Sequence, residues 1–89
     1  MTNNIDELKK KIIYKSSYRG SKEMDILLGS FTKKYIDILD PLELSELIDL
    51  VEVEDEDLFK LNNDKILTSK FKNNRITNLF KEYKYNNKP

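Results

Sequence analysis

The side chains with the clearest chemical potential lie in one segment, residues 19–25, which reads Arg-Gly-Ser-Lys-Glu-Met-Asp. Arg19 is one of only two arginines in a chain with 14 lysines. Its planar guanidinium can form paired hydrogen bonds with a carboxylate, a phosphate or backbone carbonyls. Glu23 and Asp25 would point about 200° apart on a helix, so they do not make a catalytic pair. The segment predicts a recognition corner on an interhelical turn, with ordinary helix capping as the alternative.

Other routes to catalysis or tight ligand binding lack their usual side chains. The chain has no His and no Cys, which excludes an imidazole general base and a thiol nucleophile. Two glycines are too few for a phosphate-binding loop. The acidic run of residues 52–57 lacks the central glycine and closing glutamate of a calcium loop, so it predicts a solvated helix start. We therefore expect a protein that is not an enzyme and that has neither a metal site nor a tightly bound cofactor.

Helices are the elements that must position these residues. Apolar residues recur three or four positions apart through most of the 89-residue chain, which predicts an all-α fold, a compact bundle of about five short helices. Gly20 is expected to end the first helix in the left-handed conformation, and the second helix is expected to run through Leu39. Residues 62–64 are predicted to form a turn. The last helix is centred on residues 76–83, with residues 66–71 as a backward extension.

The length of the chain predicts one domain, which we place at residues 1–85, with residues 86–89 as a disordered tail. No apolar run approaches the ~20 residues that a membrane span needs, so we expect no direct membrane insertion. Asp6 and Glu7 lie where a signal peptide would be apolar. These features predict a cytosolic protein or a mature organellar one.

Charge is balanced over the whole chain but segregated along it. Basic and acidic residues number 16 each, yet residues 1–36 carry +4, residues 37–64 carry −10 and residues 65–89 carry +6. We expect these blocks to attract one another within the fold, although opposite-signed faces are the alternative. Zero net charge argues against a general nucleic-acid binder, and we expect no nucleic-acid partner.

Two blocks of the chain resemble a known family. Residues 18–28, Tyr-Arg-Gly-Ser-Lys-Glu-Met-Asp-Ile-Leu-Leu, resemble the Arg-Gly-x-x-Glu-x-Asp-x-x-Leu signature of the succinate dehydrogenase assembly factor 2 family, whose bacterial members are called SdhE or FAD assembly factor. Residues 47–59 are similar to the family's leucine-rich helix followed by Asp-x-Asp-Leu. The chain departs from the family at Tyr18, where a second arginine is usual, and at Leu61, where a tryptophan is common.

The resemblance implies a five-helix assembly factor that binds the flavoprotein subunit of succinate dehydrogenase and, in some organisms, that of fumarate reductase. It implies that the protein promotes covalent attachment of FAD to a histidine of that partner, as a chaperone and not as the oxidoreductase. We expect a monomer when free, in the bacterial cytoplasm or, alternatively, in the mitochondrial matrix.

The family's functional motif matches this chain residue by residue at Arg19, Gly20 and Glu23, and Asp25 extends it. With the neighbouring Tyr18 and Lys22, these are the predicted partner-binding residues. Arg19→Ala is expected to lower flavinylation while leaving helicity intact.

Two other functions stay open from the residues alone. One is a helical regulatory or antitoxin-like module that sequesters a target protein through the acidic block. The other is weak RNA binding through the basic C-terminal block, where Tyr83-Lys84-Tyr85 interleaves aromatic and basic side chains.

Overall fold

Capping side chains set where three of the helices begin. In this computed structural model, which describes residues 4–85, the hydroxyl of Ser21 accepts a hydrogen bond at 3.1 Å from the backbone N–H three residues on. Asp40 and Glu43 form a reciprocal capping box, in which the N–H of Glu43 donates to Asp40 Oδ1 at 2.8 Å. Asn74 caps in the same way at 2.8 Å. These side chains satisfy N–H groups that a helix start leaves without partners.

The regular structure of the described residues is five α-helices without a strand, which confirms the predicted all-α bundle. The helices are α1 (Asn4–Ser17), α2 (Lys22–Tyr35), α3 (Pro41–Val51), α4 (Asp55–Asp64) and α5 (Arg75–Glu82). None of them combines the length and the apolar character that crossing a bilayer requires. The predicted disordered tail at residues 86–89 lies outside the described residues.

One apolar cluster joins all five helices. Its members from the helices are Ile12 of α1, Met24, Leu28 and Phe31 of α2, Leu44, Leu47, Leu50 and Val51 of α3, Leu58 and Leu61 of α4, and Ile76 and Phe80 of α5. The ring centroid of Phe31 lies 5.2 Å from those of both Phe80 and Tyr83. Because each helix buries only one apolar face, this shared core is what holds the helices together.

The predicted helix ends were wrong at several positions. The second helix ends at Tyr35 and not at Leu39, because the chain turns there and leaves Ile38 71 % exposed. Residues 66–71 lie in a loop, since the Asn74 cap starts α5 at Arg75.

Asn62 shows why residues 62–64 are the last turn of α4 and not the predicted turn. Its buried side-chain amide donates to the carbonyls of Phe80 and Tyr83 at 2.8 and 2.7 Å, where α5 ends. The left-handed residue that closes a helix is Lys65, with φ 59°. Gly20 was expected in that role after α1, but no glycine in the described residues has a positive φ.

The charge blocks attract one another within the fold, as expected. Six of the eight ion pairs among the described residues join the acidic block, residues 37–64, to one of the basic blocks. The pairs from α1 are Lys9 with Asp37 at 3.4 Å and Lys15 with Glu52 at 3.6 Å. Much of the segregated charge is therefore internal to the fold.

Gly29 generates a stability prediction. It lies in the interior of α2, and a Cβ built there would lie 3.8 Å from the carbonyl oxygen of Ser16 on α1, an ordinary van der Waals distance. Alanine is more favourable than glycine in a helix by about 1 kcal/mol. Gly29→Ala should therefore raise the free energy of unfolding by about 1 kcal/mol, measured by urea denaturation followed by circular dichroism. Gly20→Ala, outside any helix, is the control and should give no comparable gain; equal gains from both variants would contradict the explanation.

Candidate functional site

The predicted partner-binding residues lie where the chain turns from α1 into α2. We call residues 18–25 the Arg19 corner. Residues 18–20 are not helical, and Ser21 caps α2. The backbone of the corner is held by a side chain within it, because the N–H of Arg19 donates to Asp25 Oδ1 at 2.5 Å.

The side chain of Arg19 turns inward from this corner. Its Nε donates to Asp55 Oδ1 at 2.9 Å. Its Nη1 donates to the carbonyls of Lys15 at 3.0 Å and Val51 at 2.6 Å, and its Nη2 donates to the carbonyl of Val53 at 2.5 Å. We call this guanidinium and its four acceptors the Arg19 hub. The side chain is only 11 % exposed, so its donors are used within the chain.

The charged groups of the hub lie at helix ends of opposite partial charge. Lys15 lies in the last turn of α1, and Val51 is the last residue of α3. A helix C-terminus leaves carbonyls without partners and carries partial negative charge, which the guanidinium complements. Asp55 is the first residue of α4, where the partial charge of the helix is positive. One cation and one carboxylate therefore each meet a helix end of opposite sign.

Asp55 also holds the backbone of the corner directly. Its second carboxylate oxygen accepts a hydrogen bond from the N–H of Ser21 at 3.1 Å. A Cβ built on Gly20 would lie 3.5 Å from the same oxygen, so the corner passes close to this carboxylate. The Arg19 corner is thus fixed to the start of α4 by a side-chain and a backbone contact.

The six predicted partner-binding residues divide into two groups. Arg19 and Asp25 make hydrogen bonds inside the chain, and Arg19 is largely buried. Tyr18, which is 74 % exposed, and Lys22 and Glu23, which are also exposed, present their side chains to solvent, and Gly20 is exposed beside them. Arg19 had been expected to bond a carboxylate or backbone carbonyls, and the structure supplies both from this chain.

A groove borders the corner on the side of Glu23. It has a volume of about 730 Å³ and lies between α2, α4 and the segment after α5. Glu23 and Lys84 provide charge at its edge, and Ile26, Phe59 and Tyr85 provide apolar wall. Ile26 and Tyr85 are each more than 40 % exposed. The corner and the groove together offer a mixed apolar and charged surface that can bind another macromolecule.

The hub contains a residue that the sequence analysis did not select. Asp55 was interpreted as part of a solvated acidic run, but its side chain is 22 % exposed and that of Asp57 is 16 % exposed. Asp57 pairs with Lys70 at 3.4 Å. Within residues 4–85, no group of three or more acidic, His or Cys side chains is arranged to hold a metal ion. The only signal for Asp55 was its place in the second resembling block, 36 residues from Arg19.

The sequence of this chain, including the Arg19 corner, is similar to those of known proteins. Residues 10–84 match the sequence model of a family described as flavinator of succinate dehydrogenase. Relatives named succinate dehydrogenase assembly factor 2, mitochondrial, include a Debaryomyces hansenii protein, which is 32 % identical over 83 residues covering 89 % of this chain and 58 % of that protein. A Kluyveromyces lactis protein is 29 % identical over 87 residues, covering 93 % of this chain and 53 % of that protein.

A Dictyostelium discoideum protein of the same name is 40 % identical over 55 residues, covering 62 % of this chain and 39 % of that protein. The chain spans about half the length of the curated relatives it matches. The matched residues 10–84 include the whole Arg19 corner and its hub.

The hub predicts very different costs for removing the two arginines. Arg19→Ala leaves three carbonyls without their donor and removes the cation that pairs with Asp55, and should lower the free energy of unfolding by about 3 kcal/mol or more. Arg75→Ala is the control, because Arg75 is 65 % exposed and its one ion pair within the described residues is with Glu43; its loss should cost less than about 1 kcal/mol. Urea denaturation of both variants measures the difference.

Arg19→Lys keeps the charge but not the planar set of donors, and should fall between the two alanine variants. Equal losses for Arg19→Ala and Arg75→Ala would show that the hub does not stabilise the fold. The sequence alone predicted that Arg19→Ala leaves helicity intact, whereas the hydrogen bonds of the hub predict a loss of stability.

Proposed function

Because the chain belongs to the succinate dehydrogenase assembly factor 2 family, described as the flavinator of succinate dehydrogenase, we propose that it binds the flavoprotein subunit of that enzyme and promotes covalent attachment of FAD to it. The chain would act as a chaperone that binds and releases the subunit and would not catalyse the redox reaction. The proposed location follows that of the enzyme, in the bacterial cytoplasm or the mitochondrial matrix.

The observation that carries this proposal is that some residues of the motif region hold the turn in place and others expose their side chains to solvent. Arg19 and Asp25 fix the turn, while Tyr18, Lys22 and Glu23 project from it. A rigid corner is suited to recognition because little conformational freedom is lost on binding. We propose that the exposed residues of the Arg19 corner contact the flavoprotein, with the Glu23 groove beside them.

The proposed mechanism uses binding and no group chemistry from this chain. Covalent attachment requires the flavin and the accepting side chain of the subunit to be held in a reactive arrangement. A protein that binds the reactive conformer of the subunit more tightly than other conformers raises the population of that conformer. The chain needs no nucleophile and no bound FAD for this role, and the new bond lies entirely on the partner.

The acidic block offers less support for a sequestering module. Asp37, Asp49, Glu52, Asp55 and Asp57 all form ion pairs within the chain. A target bound through this block would have to compete with those pairs. The assembly role is therefore the function that we propose.

Reconstitution tests the proposed function. Purified flavoprotein subunit without covalent flavin is incubated with FAD, with or without this chain, and covalent flavin is measured by in-gel fluorescence after denaturing electrophoresis. We expect the chain to increase the fluorescent fraction of the subunit. Equal fluorescence with and without the chain, at concentrations where the subunit is folded, would contradict the proposal.

A variant of Glu23 separates recognition from folding. Glu23→Gln removes an exposed charge that makes no hydrogen bond or ion pair within the described residues. It should reduce the rate of flavinylation about tenfold, since a polar group lost from a buried interface contact costs about 1.5 kcal/mol or more. The thermal midpoint should stay unchanged.

Asp37→Asn is the matched control, because Asp37 is 84 % exposed and lies beyond the end of α2 opposite Glu23, with a surface pair to Lys9 at 3.4 Å. It should flavinylate like the wild type. A Glu23→Gln variant that is as active as Asp37→Asn would exclude Glu23 from the contact surface.

A further inference from the structure

The outward face of α1 and the residue that follows the helix carry two aromatic side chains, where a surface facing solvent is normally polar. Tyr14 is 65 % exposed and Tyr18 is 74 % exposed. Their ring centroids lie 4.8 Å apart, with the ring planes tilted by 44°. The N–H of Tyr18 still donates to the carbonyl of Tyr14 at 3.3 Å, so the two residues stay one helical turn apart. The rings contact each other and stay open to solvent.

Lysines lie beside these rings. Lys10 and Lys11 precede Tyr14 by about one turn, are exposed, and form no ion pair within residues 4–85. Four-residue spacing places Lys10, Tyr14 and Tyr18 in one row along the helix, with Lys11 next to it. The carboxylates of this helix, Asp6 and Glu7, lie one turn before these lysines and form no ion pair with them within the described residues. We call Lys10, Lys11, Tyr14 and Tyr18 the α1 ridge.

We propose that the α1 ridge is a docking surface for an acidic segment of the protein partner, continuous through Tyr18 with the Arg19 corner. This inference rests on the proposed function and adds the chemistry of the partner. Tyrosine gives a large, rigid contact area and is enriched among the residues that dominate binding energy. Lysines without internal partners complement carboxylates and accelerate encounter with them. The segment that fits carries Asp or Glu next to apolar side chains that cover the rings.

The surroundings of the ridge favour a protein over a nucleic acid. The other lysines of α1 are already paired with the acidic block, Lys9 with Asp37 and Lys15 with Glu52. Carboxylates therefore border the helix from neighbouring elements. A phosphate backbone needs a continuous basic surface, whereas an acidic peptide segment needs only a local patch.

Binding measurements with the purified flavoprotein subunit test the ridge. The association rate and affinity are measured at low and at physiological salt for the wild type, Tyr14→Ala and the double variant Lys10→Gln/Lys11→Gln. Tyr14→Ala should weaken binding about tenfold or more. The double lysine variant should lower the association rate about fivefold at low salt and reduce its salt dependence. All of these side chains are exposed, so the thermal midpoint should stay at the wild-type value.

The control is Lys60→Gln/Lys72→Gln. It removes the same number of charges from two exposed lysines elsewhere, whose surface pairs with Glu56 and Asp49, at 3.5 and 3.9 Å, contribute little. Its affinity should stay within about twofold of the wild type. A loss confined to the ridge variants supports the docking surface.

The outcomes separate the two proposals. A subunit that binds the wild type, the ridge variants and the control alike would overturn the ridge and leave the proposed function intact. A subunit that does not bind the wild type would overturn both. A labelled single-stranded RNA is titrated in parallel; RNA binding that Tyr14→Ala abolishes, with flavoprotein binding unchanged, would overturn the acidic protein segment as the occupant.

Discussion

The contact between the Arg19 guanidinium and the ends of neighbouring helices is the constraint on which the rest of this structure depends. The last turn of α1, the end of α3 and the carbonyl of Val53 all accept from it, and the first residue of α4, Asp55, neutralises it. Through Ser21, the same carboxylate holds the start of α2. Three helices therefore meet at the Arg19 side chain, and the carboxylate that pairs with it holds the start of a fourth. Lysine has the charge for this position but not the planar set of donors.

The two arginines show how position decides what one residue type does. Arg75 is mostly exposed and has Glu43 as its partner, which is the situation of an ordinary surface pair. Arg19 has four acceptors, from three helices and the segment between α3 and α4, and little contact with water. Rarity of arginine in the sequence pointed to a special role at residue 19 but not to the kind of role. The direction of the side chain decides between recognition and support, and that direction depends on acceptors more than 30 residues away.

Local patterns predicted what depends on neighbouring residues. The start of α3 follows from the Asp40-Pro41 dipeptide and the capping box with Glu43, and the core faces follow from helical spacing. The end of α4 could not be predicted in this way. Asn62 is a typical turn residue, and its helical position depends on carbonyls at the end of α5 that accept hydrogen bonds from its amide. The role of Asp55 was missed for the same reason. An acidic run at a helix start predicts solvated side chains, and only the fold shows that Arg19 lies beside this one. At Asn62 and Asp55, sequence reasoning missed a polar side chain whose partner lies far along the chain.

Charge provides the last step of the argument, because it separates groups used for folding from groups left for recognition. The net charge of zero is the sum of blocks of opposite sign, and ion pairs between those blocks neutralise much of the charge that each block carries. Within residues 4–85, the side chains beside the Arg19 corner that form no ion pair are Glu23 at the groove, Lys22 and the residues of the α1 ridge. A protein that acts only by binding can distinguish two conformers of its partner only as sharply as its own surface is fixed. Under the proposed function, the buried arginine serves recognition indirectly. Together with Asp55 it fixes the ends of four helices, so that the exposed residues keep one arrangement for binding one conformer of the partner.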